Sequence, residues 1–363
     1  MIERRKTRAV HVGELTVGGG APITVQSMTN APAADFDAAE RQIRALSAAG
    51  CDIVRLAVPD EDAAGVFAEM RRRGISLPLV ADIHFDYKLA LLSVASGAAK
   101  IRINPGNIGA EWKVREVAAA CRDAGLPIRI GVNGGSLEKS LIEKYGAPTP
   151  EALLESALTQ AEMLEKCGFS DIVLSMKISS AADTIAVYRM AAQQCTYPLH
   201  IGVTEAGDAY SGLIKNAVGI GSLLADGIGD TLRISLTADP VEEVRAGREL
   251  LRMLDLDPRG GIEVVSCPTC GRTKIDLIGL AARFKEAVRD LDTKGKRIKV
   301  AVMGCVVNGP GEAREADFGI AGGDGFGVFF RGGETVCRVE EEQIIPRLLE
   351  ETLRYIDKPA EKA

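Results

Sequence analysis

The sequence carries no excess of positive charge. Its 44 lysines and arginines stand against 50 acids for a net charge of −6, which argues against a nucleic-acid footprint spread over the surface. Long apolar runs are also missing. Nothing approaches the roughly 20 residues that span a bilayer, and residues 1–6 lead into ordinary sequence with no apolar signal segment. A cytoplasmic protein with neither a membrane nor a nucleic-acid partner is therefore expected. Aromatics amount to only 4% beside 39 glycines, 46% hydrophobic and 26% charged residues, the balance of a soluble α/β enzyme rather than a fibrous or disordered chain. No G-x-G-x-x-G follows the first strand-like run, and no flavin or nicotinamide fingerprint is visible, so any electrons must come from outside.

Between residue 20 and about 256, short β-branched runs alternate with helical periods. Eight such runs, at 23–26, 53–57, 77–81, 100–103, 128–132, 172–174, 199–203 and 232–236, predict a (β/α)8 TIM-type barrel, with a doubly wound open sheet as the alternative. The connection after the fifth run is longer and holds Asn133-Gly134-Gly135-Ser136 and then 137–145, either a lid or a plain surface excursion. The pattern breaks at Asp257-Pro258-Arg259-Gly260-Gly261. Domains at 1–258 and 259–363 follow, the second a small α+β unit with strands at 262–266 and 297–303 and helices at 275–291 and 340–356.

Eight cysteines in a chain of 363 residues do not make a disulfide scaffold. Cys51, Cys121, Cys167, Cys195 and Cys337 sit singly beside apolar stretches, where a buried structural thiol is the default. Cys267, Cys270 and Cys305 differ. Cys267-Pro268-Thr269-Cys270-Gly271 and Gly304-Cys305-Val306-Val307-Asn308-Gly309-Pro310-Gly311-Glu312 each follow a predicted strand, so the thiols can converge at one end of a sheet. Three readings compete: an iron-sulfur cluster, a structural zinc and inert thiols. Zinc normally takes four Cys or His ligands, and this region has no histidine and only Cys337 as a fourth thiol. Three cysteines plus an oxygen ligand suit a 4Fe-4S cluster with one open iron. On the bare sequence Glu312 is more often a solvated carboxylate than a ligand.

The C-terminal ends of barrel strands carry catalytic residues, and here those positions read Arg55, Asp82, His84, Arg102, Asn104, Arg129, Asn133, Ser175, Lys177, Thr204, Glu205, Arg233 and Ser235. Any single arginine in such a list could simply pair with a barrel acid. Four arginines, a lysine and a histidine at one rim imply an anionic ligand, and phosphate or diphosphate fits the guanidinium fork. Glu205 is the exception in this basic ring, either a general acid or a group that positions Lys177 or an arginine. His84 could bind phosphate or move protons, whereas His200, inside the seventh run, reads as a satisfied core histidine.

Taken in order, Val25-Gln26-Ser27-Met28-Thr29-Asn30, Ala81-Asp82-Ile83-His84-Phe85, Ile101-Arg102-Ile103-Asn104-Pro105-Gly106-Asn107, His200-Ile201-Gly202-Val203-Thr204-Glu205-Ala206-Gly207 and the two cysteine motifs give a sequence that resembles the bacterial 4-hydroxy-3-methylbut-2-enyl diphosphate synthase family over nearly its whole length. The resemblance implies a non-mevalonate isoprenoid enzyme that opens 2-C-methyl-D-erythritol 2,4-cyclodiphosphate reductively, with loss of water. It implies a diphosphate-binding barrel with Arg55, His84, Arg102, Arg129, Asn133, Lys177, Arg233 and Ser235 on the substrate. Catalytic roles fall on Glu205 and Glu312, and a 4Fe-4S cluster on Cys267, Cys270, Cys305 and Glu312. It further implies flavodoxin or ferredoxin as electron donor and a homodimer in which the small domain of one subunit closes the barrel of the other. Arg272, Lys274, Lys294, Lys296, Arg297 and Lys299 could dock an acidic carrier or merely face solvent. A non-redox 4Fe-4S lyase and a phosphosugar-binding barrel with a structural zinc domain are the rival readings.

Overall fold

The structure, a computed structural model, describes residues 2–306 and 313–359. Among them no helix is long and apolar enough to cross a membrane. The chain forms two compact units that divide between Asp257 and Pro258.

Unit one opens with a hairpin, β1 (Ala9–Val12) and β2 (Leu15–Gly18), that the sequence reading missed. Val12 and Val17 pack against Ile53 and Val80, so the hairpin covers the N-terminal ends of two barrel strands. The barrel strands are β3 (Thr24–Met28), β4 (Ile53–Ala57), β5 (Leu79–Asp82), β6 (Lys100–Ile103), β7 (Ile128–Asn133), β8 (Ile172–Lys177), β9 (His200–Ile201) and β10 (Thr231–Leu232). They pair in parallel from β8 back to β3, then β10 and β9, and a bridge from Leu174 to Leu199 closes the ring. This is the expected TIM-type barrel. The last two strands are shorter than their β-branched runs suggest, because Gly202 and the polar residues after Leu232 leave the ladder to shape the rim.

Alternation along the strands separates two environments. Ile101, Ile103, Ile128 and Ile130 join the core shared with the helices, while Lys100, Arg102 and Arg129, in the alternate register, are buried without belonging to it. The surrounding helices begin on side-chain caps, among them Asp35 for α1 (Phe36–Ala48) and Asp60 for α2 (Glu61–Ala64). At the far end of the first, Gly50 (φ 96°) supplies the left-handed residue that turns the chain toward β4. Further round come α3 (Val66–Arg72), α4 (Tyr87–Ala95), α5 (Pro105–Ile108), α6 (Glu111–Asp123), α7 (Lys139–Tyr145), α8 (Pro150–Lys166), α9 (Ala181–Gln194), α10 (Ala209–Ala225) and α11 (Pro240–Met253). The long connection after β7 contains α7 and is anchored. Ser156 Oγ and Gln160 Nε2 of α8 donate to the Glu138 carboxylate at 2.8 and 2.7 Å.

Unit two is α+β. Its sheet runs β11 (Gly261–Ser266), β12 (Arg297–Met303), β13 (Phe318–Gly322), β14 (Phe326–Arg331) and β15 (Glu334–Glu340), parallel for the first three strands and antiparallel for the rest. The helix Leu277–Val288 and the final helix Ile344–Asp357 share one core with it, in which Phe284, Phe318, Phe329 and Leu348 are fully buried. Cys51 and Cys121 are buried structural thiols as expected. Cys337 is not: β15 is the sheet edge and almost every residue of it faces solvent.

Candidate active site

The strand ends of the barrel enclose a cavity of about 230 Å³ lined by Met28, Arg55, Asp82, His84, Arg102, Arg129, Asn133, Ser175, Lys177, Val203, Thr204, Arg233 and Ser235. Eight residues expected to grip an anion (Arg55, His84, Arg102, Arg129, Asn133, Lys177, Arg233 and Ser235) therefore face one space. Asn104 does not join them; its side chain caps the first turn of α5, accepting from Gly106 N at 3.1 Å.

Acids compensate only part of this charge. Asp82 meets Arg102 Nη1 at 3.0 Å through Oδ1 and Arg55 Nη1 at 3.4 Å through Oδ2. Burial would push the Asp82 carboxyl up, but the charges of Arg55, Arg102 and Arg129 outweigh it and hold the group at about 2. Arg55 is pulled down to about 10, first by burial and then by its neighbours Arg233 and Arg102. Arg102 also donates to the Gly131 carbonyl at 3.0 Å.

Arg233 is held by a residue the sequence reading overlooked. Glu243, in the first turn of α11, accepts from Arg233 Nη2 at 3.2 Å, Ser27 Oγ at 3.0 Å and Leu236 N at 3.0 Å. An acid in a first helical turn is usually a solvated group facing the helix dipole, so no local signal marks it. Only its burial at 3% exposure reveals that it ties β3, β10 and α11 together.

Arg129 and Lys177 have no carboxylate partner within ion-pair distance among the described residues, and Arg129 Nε and Nη2 are buried without a hydrogen-bond partner. Burial and the surrounding arginines push the Lys177 ammonium well below its ordinary value. Buried cations with unused donors are the arrangement an entering anion completes. His200 is buried as expected, yet it is not satisfied: its Nδ1 lies 3.4 Å from Thr231 Oγ1 and its Nε2 has no partner among the described residues.

Glu205 does not line the cavity. It is exposed, follows the lining residue Thr204, and adopts φ 52°, a left-handed conformation that costs a non-glycine residue on the order of 1 kcal/mol. Such strain concentrates at functional sites. Lys215 Nζ of α10 donates to its carbonyl at 3.3 Å.

In unit two, Ser266 of β11 is level with Val302 of β12, so both cysteine motifs emerge from the same end of the sheet. Gly304 N donates to Cys267 Sγ at 3.3 Å, Lys274 N donates to Gly304 O at 3.0 Å, and Cys270 N donates to Thr273 Oγ1 at 3.2 Å. Hydrogen bonds from Arg272, then Thr273, hold the Cys270 thiol below its ordinary value. None of the three thiols is in a disulfide. Among the described residues, no three His, Cys, Asp or Glu side chains gather around a single ion; Glu312 lies outside the described residues. A thiol set drawn from two loops at one sheet end, with a backbone N–H already directed at one sulfur, has the donor chemistry of an iron-sulfur site, whose cysteines bind separate irons. Of the basic residues considered for docking, Lys294 pairs with Asp357, Lys296 Nζ donates to the carbonyls of Tyr355 and Ile356, and Lys299 sits between Glu263 and Glu315.

Two family models match the chain, the GcpE TIM-barrel domain over residues 7–248 and the GcpE protein C-terminal domain over 263–354. Curated proteins named 4-hydroxy-3-methylbut-2-en-1-yl diphosphate synthase (flavodoxin) are similar along nearly the full length. The one from Geobacter sulfurreducens is 56% identical over 353 residues, 97% of this chain and 99% of its own. That from Symbiobacterium thermophilum is 55% identical over 350 residues, 96% and 93%. Among solved structures, dihydropteroate synthase from Thermus thermophilus superposes with a TM-score of 0.50 at 14% identity, covering 68% of this chain and 98% of that one. The likeness is one of barrel fold alone.

Proposed function

The chain belongs to the GcpE family, and from that membership we infer that it performs the 4-hydroxy-3-methylbut-2-en-1-yl diphosphate synthase reaction of the non-mevalonate isoprenoid pathway, an iron-sulfur oxidoreductase reaction with flavodoxin as electron donor. The substrate on this reading is 2-C-methyl-D-erythritol 2,4-cyclodiphosphate, which undergoes reductive ring opening and loses water.

One observation carries the reading: Arg55, Arg102, Arg129, Lys177 and Arg233 face a single cavity with, among the described residues, only Asp82 and Glu243 paired against them. A diphosphate supplies the missing negative charge and enough acceptors for several guanidinium groups. Asp82 and Glu243 keep three of the arginines oriented before substrate arrives, so little ordering remains to be done on binding. Arg129 and Lys177, without a paired acid among the described residues, are the cations with most to gain from the anion. Glu205, on its strained turn beside Thr204, is the proposed acid that delivers a proton to the departing hydroxyl.

Cys267, Cys270, Cys305 and Glu312 are the proposed holders of a 4Fe-4S cluster. When bound, that group supplies electrons one at a time and an iron able to act as a Lewis acid, since a carboxylate ligand yields to a substrate oxygen more readily than a thiolate does. A homodimer is the proposed assembly, with ferredoxin as an alternative donor and the cytoplasm as the compartment.

The test is anaerobic purification with iron and sulfide analysis, followed by assay on the cyclodiphosphate with and without dithionite and a viologen. Iron, sulfide and reductant-dependent turnover are expected. Turnover without reductant would instead support a non-redox lyase, and a protein containing zinc without iron would remove the cluster.

A further inference from the structure

β6 presents two cations to the barrel interior, and among the described residues only one has a hydrogen-bonding partner. Arg102 is level with Asp82 of β5 and bonded to it; Lys100, two residues earlier, is level with Val80. Val80 belongs to the apolar layer, with Val12, Val17 and Ile53, at the N-terminal end of the barrel. Lys100 thus lies level with that layer, one inward-facing position before the cavity-lining Arg102. Its side chain is fully buried, and its Nζ has no hydrogen-bond partner among the described residues.

Among the described residues, the neighbouring elements pair no carboxylate with it. β7 contributes Arg129 and β4 contributes Arg55, the charges that act on it most after burial itself. β9 contributes His200, whose own field includes Lys100. The acid of β5, Asp82, is already shared between Arg55 and Arg102, and on α4 Lys88 is exposed. An ammonium placed among cations in a dry interior loses its proton rather than remain charged there.

We propose that Lys100 is a charge-compensating residue, an uncharged amine that takes up one solvent proton when a diphosphate enters the barrel mouth above it. The inference rests on the mouth being the diphosphate site, and it gives the buried amine a purpose in that reaction. Each phosphorus of a cyclic diphosphate is esterified to carbon and carries one ionisable oxygen. Breaking one carbon–oxygen bond of the ring frees a further phosphate oxygen, so the product is more anionic than the substrate. A proton moving from solvent to the Nζ lone pair offsets that added charge without rearranging the arginines.

The probe is inorganic pyrophosphate, titrated calorimetrically into the full-length, anaerobically purified protein in buffers of different ionisation heat near neutral pH. Lys177 lines the mouth and is present in every variant, so the difference between variants isolates Lys100. Wild type is expected to absorb protons on binding, and Lys100→Met about one fewer per site. Lys100→Gln, polar but not titratable, should lose the same proton and serves if the methionine variant does not fold. Uptake unchanged in either variant, with pyrophosphate still bound, overturns the role of Lys100 alone. Failure of wild type to bind pyrophosphate overturns the diphosphate reading of the mouth together with it. A purely structural lysine would alter melting temperature but not the proton count.

Discussion

Asp82 and Arg102 face each other across adjacent parallel strands, Oδ1 to Nη1 at 3.0 Å, with side chains 3% and 6% exposed. The pair sits on the rim of the cavity instead of deep in the barrel. It thus holds a guanidinium in place while leaving its remaining donors for a ligand.

The first prediction concerns acid. The folded-state value of Asp82, about 2, lies below its ordinary 3.8, so its stabilisation is complete above 3.8 and is lost as pH falls through 2. The separation corresponds to on the order of 2 kcal/mol. Thermal melts between pH 5 and 2 should show wild type losing stability faster than Asp82→Asn; parallel slopes would show that the pair contributes nothing in that window.

Glu243→Gln should weaken substrate binding more than it slows the bound complex. Arg233 loses its counter-ion while the bonds from Ser27 and Leu236 can partly persist on the amide oxygen. A KM raised about tenfold, equivalent to roughly 1.4 kcal/mol, with kcat changed less is expected. An unchanged KM would make Glu243 a structural tie only.

At Gly131 a Cβ would stand 2.3 Å from Arg102 Nε and 2.7 Å from Nη2. Gly131→Ala should therefore push the guanidinium off Asp82. Steady-state kinetics should show weaker substrate binding, and a crystal structure of the variant should show Arg102 in a new rotamer. Retention of the 3.0 Å contact would contradict this.

Glu205→Gln should abolish reductive turnover while leaving iron and sulfide content at the wild-type level, because Glu205 is outside the proposed ligand set. Activity within about tenfold of wild type would remove it as the proton donor, since general acid catalysis contributes at least about a hundredfold.

Much of the molecule was legible one residue at a time. Eight β-branched runs separated by capped helical periods point to eight βα units, and so to a barrel before an open sheet, because strand and helix periods are local properties. Strand-end positions mark Arg102 and Lys177 because such positions face the mouth in any barrel, and Arg55 and Arg129 stand out as cations inside β-branched runs. Three cysteines among Gly and Pro stand apart from the buried thiols on the same local grounds. Cys337 escaped that reading, because its apolar neighbours suggest burial whereas β15 ends the sheet.

Pairing and desolvation are different in kind. The sequence by itself determined the eight βα units, the cationic residues of the rim and the three distinctive thiols, since alternation, turn chemistry and residue type are written locally. Only the tertiary structure decided that Asp82 serves two arginines, that Glu243 reaches from α11 to β3 and β10, and that Lys100 has no hydrogen-bond partner among the described residues. Those facts depend on which side chains share a volume from which water is excluded. That is set by closure of the whole ring, where the energy of a charge depends on every neighbour within a few ångströms.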